Sequence, residues 1–324
     1  MTIRMRTALA GLAVLALTAA GPAGLTQASV KSNHGGPTTG ATKVFTLDPS
    51  VSGNNPEGVA WDPQSKSFFV GTVGTGTIYR ATLSDAALRP FITPDPASPA
   101  DSAVGMKASG DKLYVAGGAT GSIYVYKIRT GALLARFETG AGGFLNDLVV
   151  TSQGDVYVTD SFRPMLWHVS PAMVKAGSGT PGSINVGPEI TYTANQFNLN
   201  GIVARRGGAE LIVVNTFSQS LFRISVDRRR PAARTITKID APALGGDGLL
   251  IDRGQLLVVT GNPAAVTALT LSRSDLRARA ARVLTDPSLR GPSTIARAKD
   301  RYLVVNADFA TNTQPYTVSA IKRG

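Results

Sequence analysis

The sequence predicts an all-β chain, a six-bladed β-propeller whose ring is closed by an N-terminal strand joining the last blade. Three observations carry this reading. Six segments repeat one pattern, a polar or Gly/Pro-containing entry followed by three short apolar strands separated by turns. Their entries recur every ~40 to 55 residues, the period of a four-stranded blade. The 35 glycines and 19 prolines, spread along 324 residues, supply the turns that many short strands need.

Taken in order, residues 1–28 carry Arg4 and Arg6, then an apolar run of Ala, Leu, Gly, Val and Thr, then small residues with a cleavage position after Ala28. This is a secretory signal peptide pattern, and the run falls short of the ~20 residues that span a bilayer. The expected location is therefore secreted or extracytoplasmic. Residues 29–42, rich in Ser, Gly, Thr and Pro, read as a flexible tether, and residues 43–324 as the propeller domain.

The six repeats begin at 56, 103, 145, 199, 246 and 293, and each continues into two further apolar runs, for example 67–71 and 76–80 in the first. The sixth ends at the C-terminus without a fourth strand, whereas 42–47 stands alone before the first repeat. That segment is expected to supply the missing outer strand and remove the open edge. One stretch, 272–284, reads as a short surface helix or loop from its Ala, Arg and Leu content.

The chain has no cysteine, which removes thiol nucleophiles, Cys-ligated metals and disulfides. Its 33 Lys and Arg against 21 Asp and Glu give a formal charge of +12, with the basic residues concentrated after residue 200. No nucleic-acid recognition motif or interleaved aromatic pattern accompanies them, so no nucleic-acid partner is expected. A solvated basic surface that adheres weakly to anionic cell-envelope polymers, on a monomer, is the expectation.

Residues at equivalent blade entries converge at one end of a propeller's channel. Read in blade order, the entries give Glu57, nothing ionic, Asn146, Asn200, Asp247 and nothing ionic. Two carboxylates and two amides form an all-oxygen, doubly negative set that suits one hard divalent cation such as Ca²⁺, with Mg²⁺, Mn²⁺ or Zn²⁺ as alternatives. Turn-forming Asn and Asp that satisfy their own backbone are the competing explanation, which accounts for Asn or Asp before Gly but not for Glu57.

With Pro56-Glu57-Gly58, Asn146-Asp147, Leu199-Asn200-Gly201 and Asp247-Gly248 in the right blades, the chain resembles the gluconolactonase / senescence marker protein (regucalcin-like) family of six-bladed propellers. The resemblance implies that Glu57, Asn200 and Asp247 bind one divalent metal, with Asn146 beside it meeting substrate or a metal water. It also implies hydrolysis of a small lactone or ester to a hydroxy acid, the metal polarising the carbonyl and Asp247 acting as general base. In related esterase-like propellers the corresponding Asp is proposed as a nucleophile instead. Family members that act on sugar-acid lactones commonly carry an Arg two residues before the blade-three Asn. Here that position is Phe144, which predicts a substrate-binding surface for something more apolar than a polyhydroxylated lactone.

The remaining polar candidates carry less. His34 lies in the tether and His168 on a strand away from the entries, and no Gly-x-Ser-x-Gly elbow is present, so a Ser-His-Asp triad is not expected. Asp160, at a strand end, reads as a turn residue. The glycines of Val73-Gly74-Thr75-Gly76 read as a hairpin turn, because no Lys-Ser/Thr follows. The alternative function is a non-catalytic propeller that binds a ligand or envelope polymer, its metal structural. A strictosidine-synthase-like activity, which needs no metal cluster, sits poorly with Glu57, Asn200 and Asp247.

Overall fold

A computed structural model describes residues 42–48, 55–94, 102–227 and 230–323, the side chains of 230–233 excepted. The signal peptide at 1–28 and nearly all of the tether at 29–42 lie outside the described residues. Among the described residues twenty-four strands account for almost all regular structure, numbered β1 to β24 in chain order. Five blades are continuous in sequence, β2-β3-β4-β5, β6-β7-β8-β9, β10-β11-β12-β13, β14-β15-β16-β17 and β18-β19-β20-β21. The sixth is β22-β23-β24 completed by β1, so the fold is the six-bladed propeller the repeats predict.

Closure is as expected. β1 (Lys43–Leu47) pairs antiparallel with β24 (Thr317–Lys322), Phe45 opposite Val318. It also touches β5 (Ala87–Ile92) of blade one in parallel, at Thr46 with Ala87 and Leu47 with Leu88. The first and last blades thus form one hydrogen-bonded sheet of eight strands.

The core is divided into six apolar clusters, one at each junction between neighbouring blades. This explains why the second strand of each blade is apolar without alternation. In β15 (Glu210–Asn215), Leu211 and Val213 pack toward blade three, while Ile212 and Val214 pack toward blade five. β19 (Gln255–Thr260) repeats this, Leu256 and Val258 facing one neighbour and Leu257 and Val259 the other. A strand buried on both faces reads as a continuous hydrophobic run.

One local expectation is corrected. Residues 272–284 contain no helix: they form a turn followed by the outer strand β21 (Ala278–Leu284). Ala278 is fully buried and pairs with Leu271, and the strand's ladder to β20 (Ala265–Leu271) overrides the helix propensity of its Ala and Arg residues. A short helix, α1 (Pro171–Ala176), lies instead between β12 (Met165–Val169) and β13 (Gly182–Asn185). Its signals are in the sequence: Ser170 caps the Met173 N–H, Pro171 opens it and Gly177 ends it in the left-handed conformation.

Several of the late arginines are held in ion pairs. Arg205 meets fully buried Asp275 at 2.8 Å, Arg206 meets Glu210 at 2.9 Å, and Arg290 meets Asp308 at 3.1 Å. Among the described residues no helix is long and apolar enough to cross a membrane.

Candidate functional site

The blade entries are built by a shared irregularity. In blades one, three, four, five and six the innermost strand bulges at the same place, two residues facing one on the next strand. The first bulge residues are Glu57, Asn146, Asn200, Asp247 and Ser293. In blade two Val104 takes that place, its N–H donating to Ala116 O at 2.9 Å.

The second bulge residue brings neighbouring blades into backbone contact. A Cβ at Gly58 would lie 1.9 Å from Val104 O, and one at Gly201 2.3 Å from Asp247 O, so only glycine fits either place. Hydrogen bonds run around the same ring. Gly105 N–H donates to Asn146 O at 2.7 Å, Thr159 Oγ1 to Asn200 O at 2.7 Å, and Ser293 Oγ to Glu57 O at 2.9 Å. Residues nearly 240 positions apart are thereby set side by side, as the Glu57–Ser293 bond shows with its separation of 236.

Glu57, Asn146 and Asn200 are buried and Asp247 is half-buried. Burial first, then the charges of Asp247 and Asp147, push the Glu57 pKa well above the ordinary carboxylate range, with Lys107 opposing. The Asp247 carboxyl is pushed to about 7, by burial and then by Asp147, against a hydrogen bond from Asn200. Asn146 donates its amide N–H to Ser161 Oγ at 3.0 Å, while its Oδ1 and the Oε2 of Glu57 are buried acceptors without a donor.

Two members of this ensemble are absent from the sequence reading as site residues, Asp147 and Lys107. Asp147 Oδ1 accepts from Lys107 Nζ at 2.9 Å and from the Leu148 N–H at 2.8 Å. Signals for both exist. Asp147 stands where blades one, two, four and five have glycine. Lys107 stands where the other blades have Ala60, Val149, Val203, Leu250 and Ala296. Lys107 also borders a cavity of about 380 Å³ lined by Val149, Val203 and Leu250, toward the ends of the inner strands opposite the entries.

Among the described residues no three His, Asp or Glu side chains gather as a metal site by themselves. A cation here depends on the amide oxygens as well. The donor set nevertheless fits one: two buried oxygens without donors stand in a ring where the charges of Asp247 and Asp147 raise the pKa of Glu57 and that of Asp147 raises Asp247, and a divalent ion relieves both conditions.

Phe144 stands on the rim, its ring 5.6 Å from that of Phe162 and 5.3 Å from that of Phe197. Asp160 is the turn residue expected, its Oδ1 accepting the N–H groups of Phe144, Phe162 and Arg163. The glycines at 74 and 76 lie in the hairpin between β3 (Ser67–Thr72) and β4 (Ile78–Thr82). His168 is buried, bonded to Asp155 at 2.9 Å and stacked on Tyr157, far along the strands from the entries.

No protein-family model matches the chain, and no curated protein matches it by sequence. Solved structures share its fold. A calcium-binding protein, regucalcin, from Agrobacterium tumefaciens is 17% identical with a TM-score of 0.59, over 82% of this chain and 90% of that one. A putative gluconolactonase is 15% identical with a TM-score of 0.60, over 88% and 93%. A streptogramin B lyase is 10% identical with a TM-score of 0.56, over 87% and 97%. At such identities the likeness is one of fold, and it agrees with the propeller family that the blade entries resemble.

Proposed function

We propose that the chain is an exported, divalent-cation-dependent hydrolase of a small lactone or ester, with its site at the channel mouth. One observation carries the reading: the ring of bulges sets buried, donor-free oxygens of Glu57 and Asn146 beside an Asp247 carboxyl whose pKa is about 7. The lactonase-type neighbours and the signal peptide pattern support it.

Glu57, Asn200 and Asp247 would hold the ion, Ca²⁺ first among candidates, with Asn146 next to it. When bound, such an ion supplies Lewis-acid polarisation of a carbonyl and a water of lowered pKa. The chain supplies the rest. Asp247, half-buried at the mouth, takes the proton of the attacking water as that water adds to the carbonyl carbon. It then returns the proton to the departing alkoxide as the ring C–O bond breaks, leaving a hydroxy acid. Asn200 orients the Asp247 carboxylate through its hydrogen bond. Ser161 fixes the Asn146 amide so that its oxygen is offered inward without a rotamer cost at binding. The Lys107–Asp147 pair keeps a third negative charge from standing unbalanced against Glu57.

The test is hydrolysis of γ-butyrolactone and phenyl acetate by the mature protein with Ca²⁺, Mg²⁺, Mn²⁺ or Zn²⁺, against chelator and against Asp247→Asn. Turnover that needs both the ion and Asp247 is the expected result. Absence of turnover with every ion would leave a ligand-binding propeller in its place.

A further inference from the structure

Four phenylalanines crowd the mouth end of blades three and four. Phe144 precedes β10 (Leu145–Val150), Phe162 follows β11 (Val156–Asp160), Phe197 precedes β14 (Leu199–Arg205) and Phe217 follows β15. The rings of Phe144, Phe162 and Phe197 contact one another pairwise at 5.2 to 5.6 Å. The Phe217 N–H donates to Phe197 O at 3.2 Å, which ties the backbone of the fourth to that of Phe197. Yet Phe162 remains 42% exposed, Phe197 41% and Phe217 47%. Most large exposed hydrophobics in a soluble domain are scattered singly, whereas a contiguous apolar patch marks a place of contact.

These rings are held in place. Fully buried Asp160 accepts the N–H of Phe144 at 2.9 Å and of Phe162 at 3.1 Å through one oxygen, and its other oxygen binds Arg163 at 2.7 Å. They are also tied to the site. Phe144 lies two residues before Asn146, and Phe197 three before Asn200. Phe162 follows Ser161, whose hydroxyl receives the Asn146 amide and itself donates to Leu199 O at 2.7 Å. A hydrocarbon group resting on this patch would be attached to whatever occupies the ring of bulges.

We propose that the phenylalanine rim is the subsite for a hydrocarbon group of the substrate, so that the preferred substrates are lactones or esters bearing an alkyl chain or aryl ring. This rests on the reading of the mouth as a lactone or ester site. The occupant is a group of the substrate and not a separate partner. Asp160, which anchors Phe144 and Phe162, adjoins Ser161, which holds the candidate ligand Asn146, and the aromatic patch lies on the two blades that carry Asn146 and Asn200.

The experiment compares γ-butyrolactone with γ-decalactone, which adds a hydrocarbon chain, in wild type and in the double variant Phe162→Ala/Phe197→Ala. The preference for γ-decalactone, as a ratio of kcat/KM values, is expected to fall at least about tenfold, the scale of burying a few methylenes. Phe162→Leu/Phe197→Leu, which keeps apolar surface, should recover most of it. A second readout needs no turnover: calorimetric binding of 2-hexyltetrahydrofuran, a chain-bearing ring without a carbonyl, should weaken about tenfold in the alanine variant. If neither lactone turns over but the ether still binds through the two phenylalanines, the hydrolase reading fails and the subsite stands. Equal ether binding by wild type and variant overturns the subsite. So does loss of binding to phosphatidylglycerol vesicles with ether binding unchanged, which would assign the rim to a membrane surface.

Discussion

Replacing Asp247 by asparagine keeps the side chain's size and its place in the ring and removes the charge. In the chelated protein the Asp247 pKa rises from an ordinary 3.8 to about 7 on folding. A carboxyl with a raised folded pKa binds more protons folded than unfolded between those values. Stability is therefore lost as pH climbs from about 4 to about 7 and stays lost above it. Three units at about 1.4 kcal/mol each give a cost of about 4 kcal/mol at pH 8. For a domain of this size that is a melting-temperature deficit on the order of 10 °C. Glu57, shifted the same way, shares in it. Calcium should remove the deficit by binding the ionised form. The assay is thermal unfolding followed by circular dichroism at pH 5 and pH 8, in EDTA and in millimolar calcium. Wild type should lose stability between the two pH values in EDTA and regain it with calcium. Asp247→Asn should lose about 4 kcal/mol less and gain little from calcium. Parallel pH profiles in EDTA, or equal calcium gains in both proteins, would show that Asp247 neither carries the buried charge nor binds the ion.

Three further outcomes are expected. Phe45→Ala, which empties a fully buried position against Phe68 in the strand that closes the ring, should cost about 3 to 5 kcal/mol in urea unfolding. Val44→Ala on the same strand, 42% exposed, should cost under about 0.5 kcal/mol. Gly201→Ala puts a methyl 2.3 Å from Asp247 O and should lower both stability and calcium affinity by isothermal titration, whereas Gly254→Ala, in open space, should leave calcium affinity alone. At Asp252 burial acts to raise the pKa, but hydrogen bonds from Arg323 and Tyr302 outweigh it and the carboxyl ends below its ordinary value. Its stabilisation is therefore present above about pH 4 and lost as pH falls through the lower folded value, so Arg323→Ala should destabilise at pH 7, and its difference from wild type by chemical unfolding should shrink as the pH is lowered below about 4.

The blades were legible because each repeats one burial problem. Strands such as β15 and β19 are covered on both faces, so their apolar runs stand out against turn residues. The isolated segment at 42–47 was legible because a ring has no place for an unpaired strand. The outer strands were harder. β21 has one mostly exposed face, and Ala278-Arg279-Ala280 carries no strand signature once its partner β20 is out of view. In the site, Glu57, Asn146, Asn200 and Asp247 could be read because they share a register. Asp147 and Lys107 belong to the same electrostatic group but occupy different registers, one as a charge among glycines and one as a charge among Ala, Val and Leu. The phenylalanine rim was readable at Phe144 alone, since Phe162, Phe197 and Phe217 lie in separate loops that only the blade geometry gathers.

A crystal structure of the mature protein grown with calcium shows whether the ring of bulges holds one divalent ion. One ion bound by Glu57, Asn200 and Asp247 at about 2.3 to 2.6 Å is expected, with the Glu57 oxygen that now lacks a donor among its ligands. A calcium-saturated crystal with no ion at the mouth, or with the ion elsewhere and Lys107 turned onto Glu57, would contradict it.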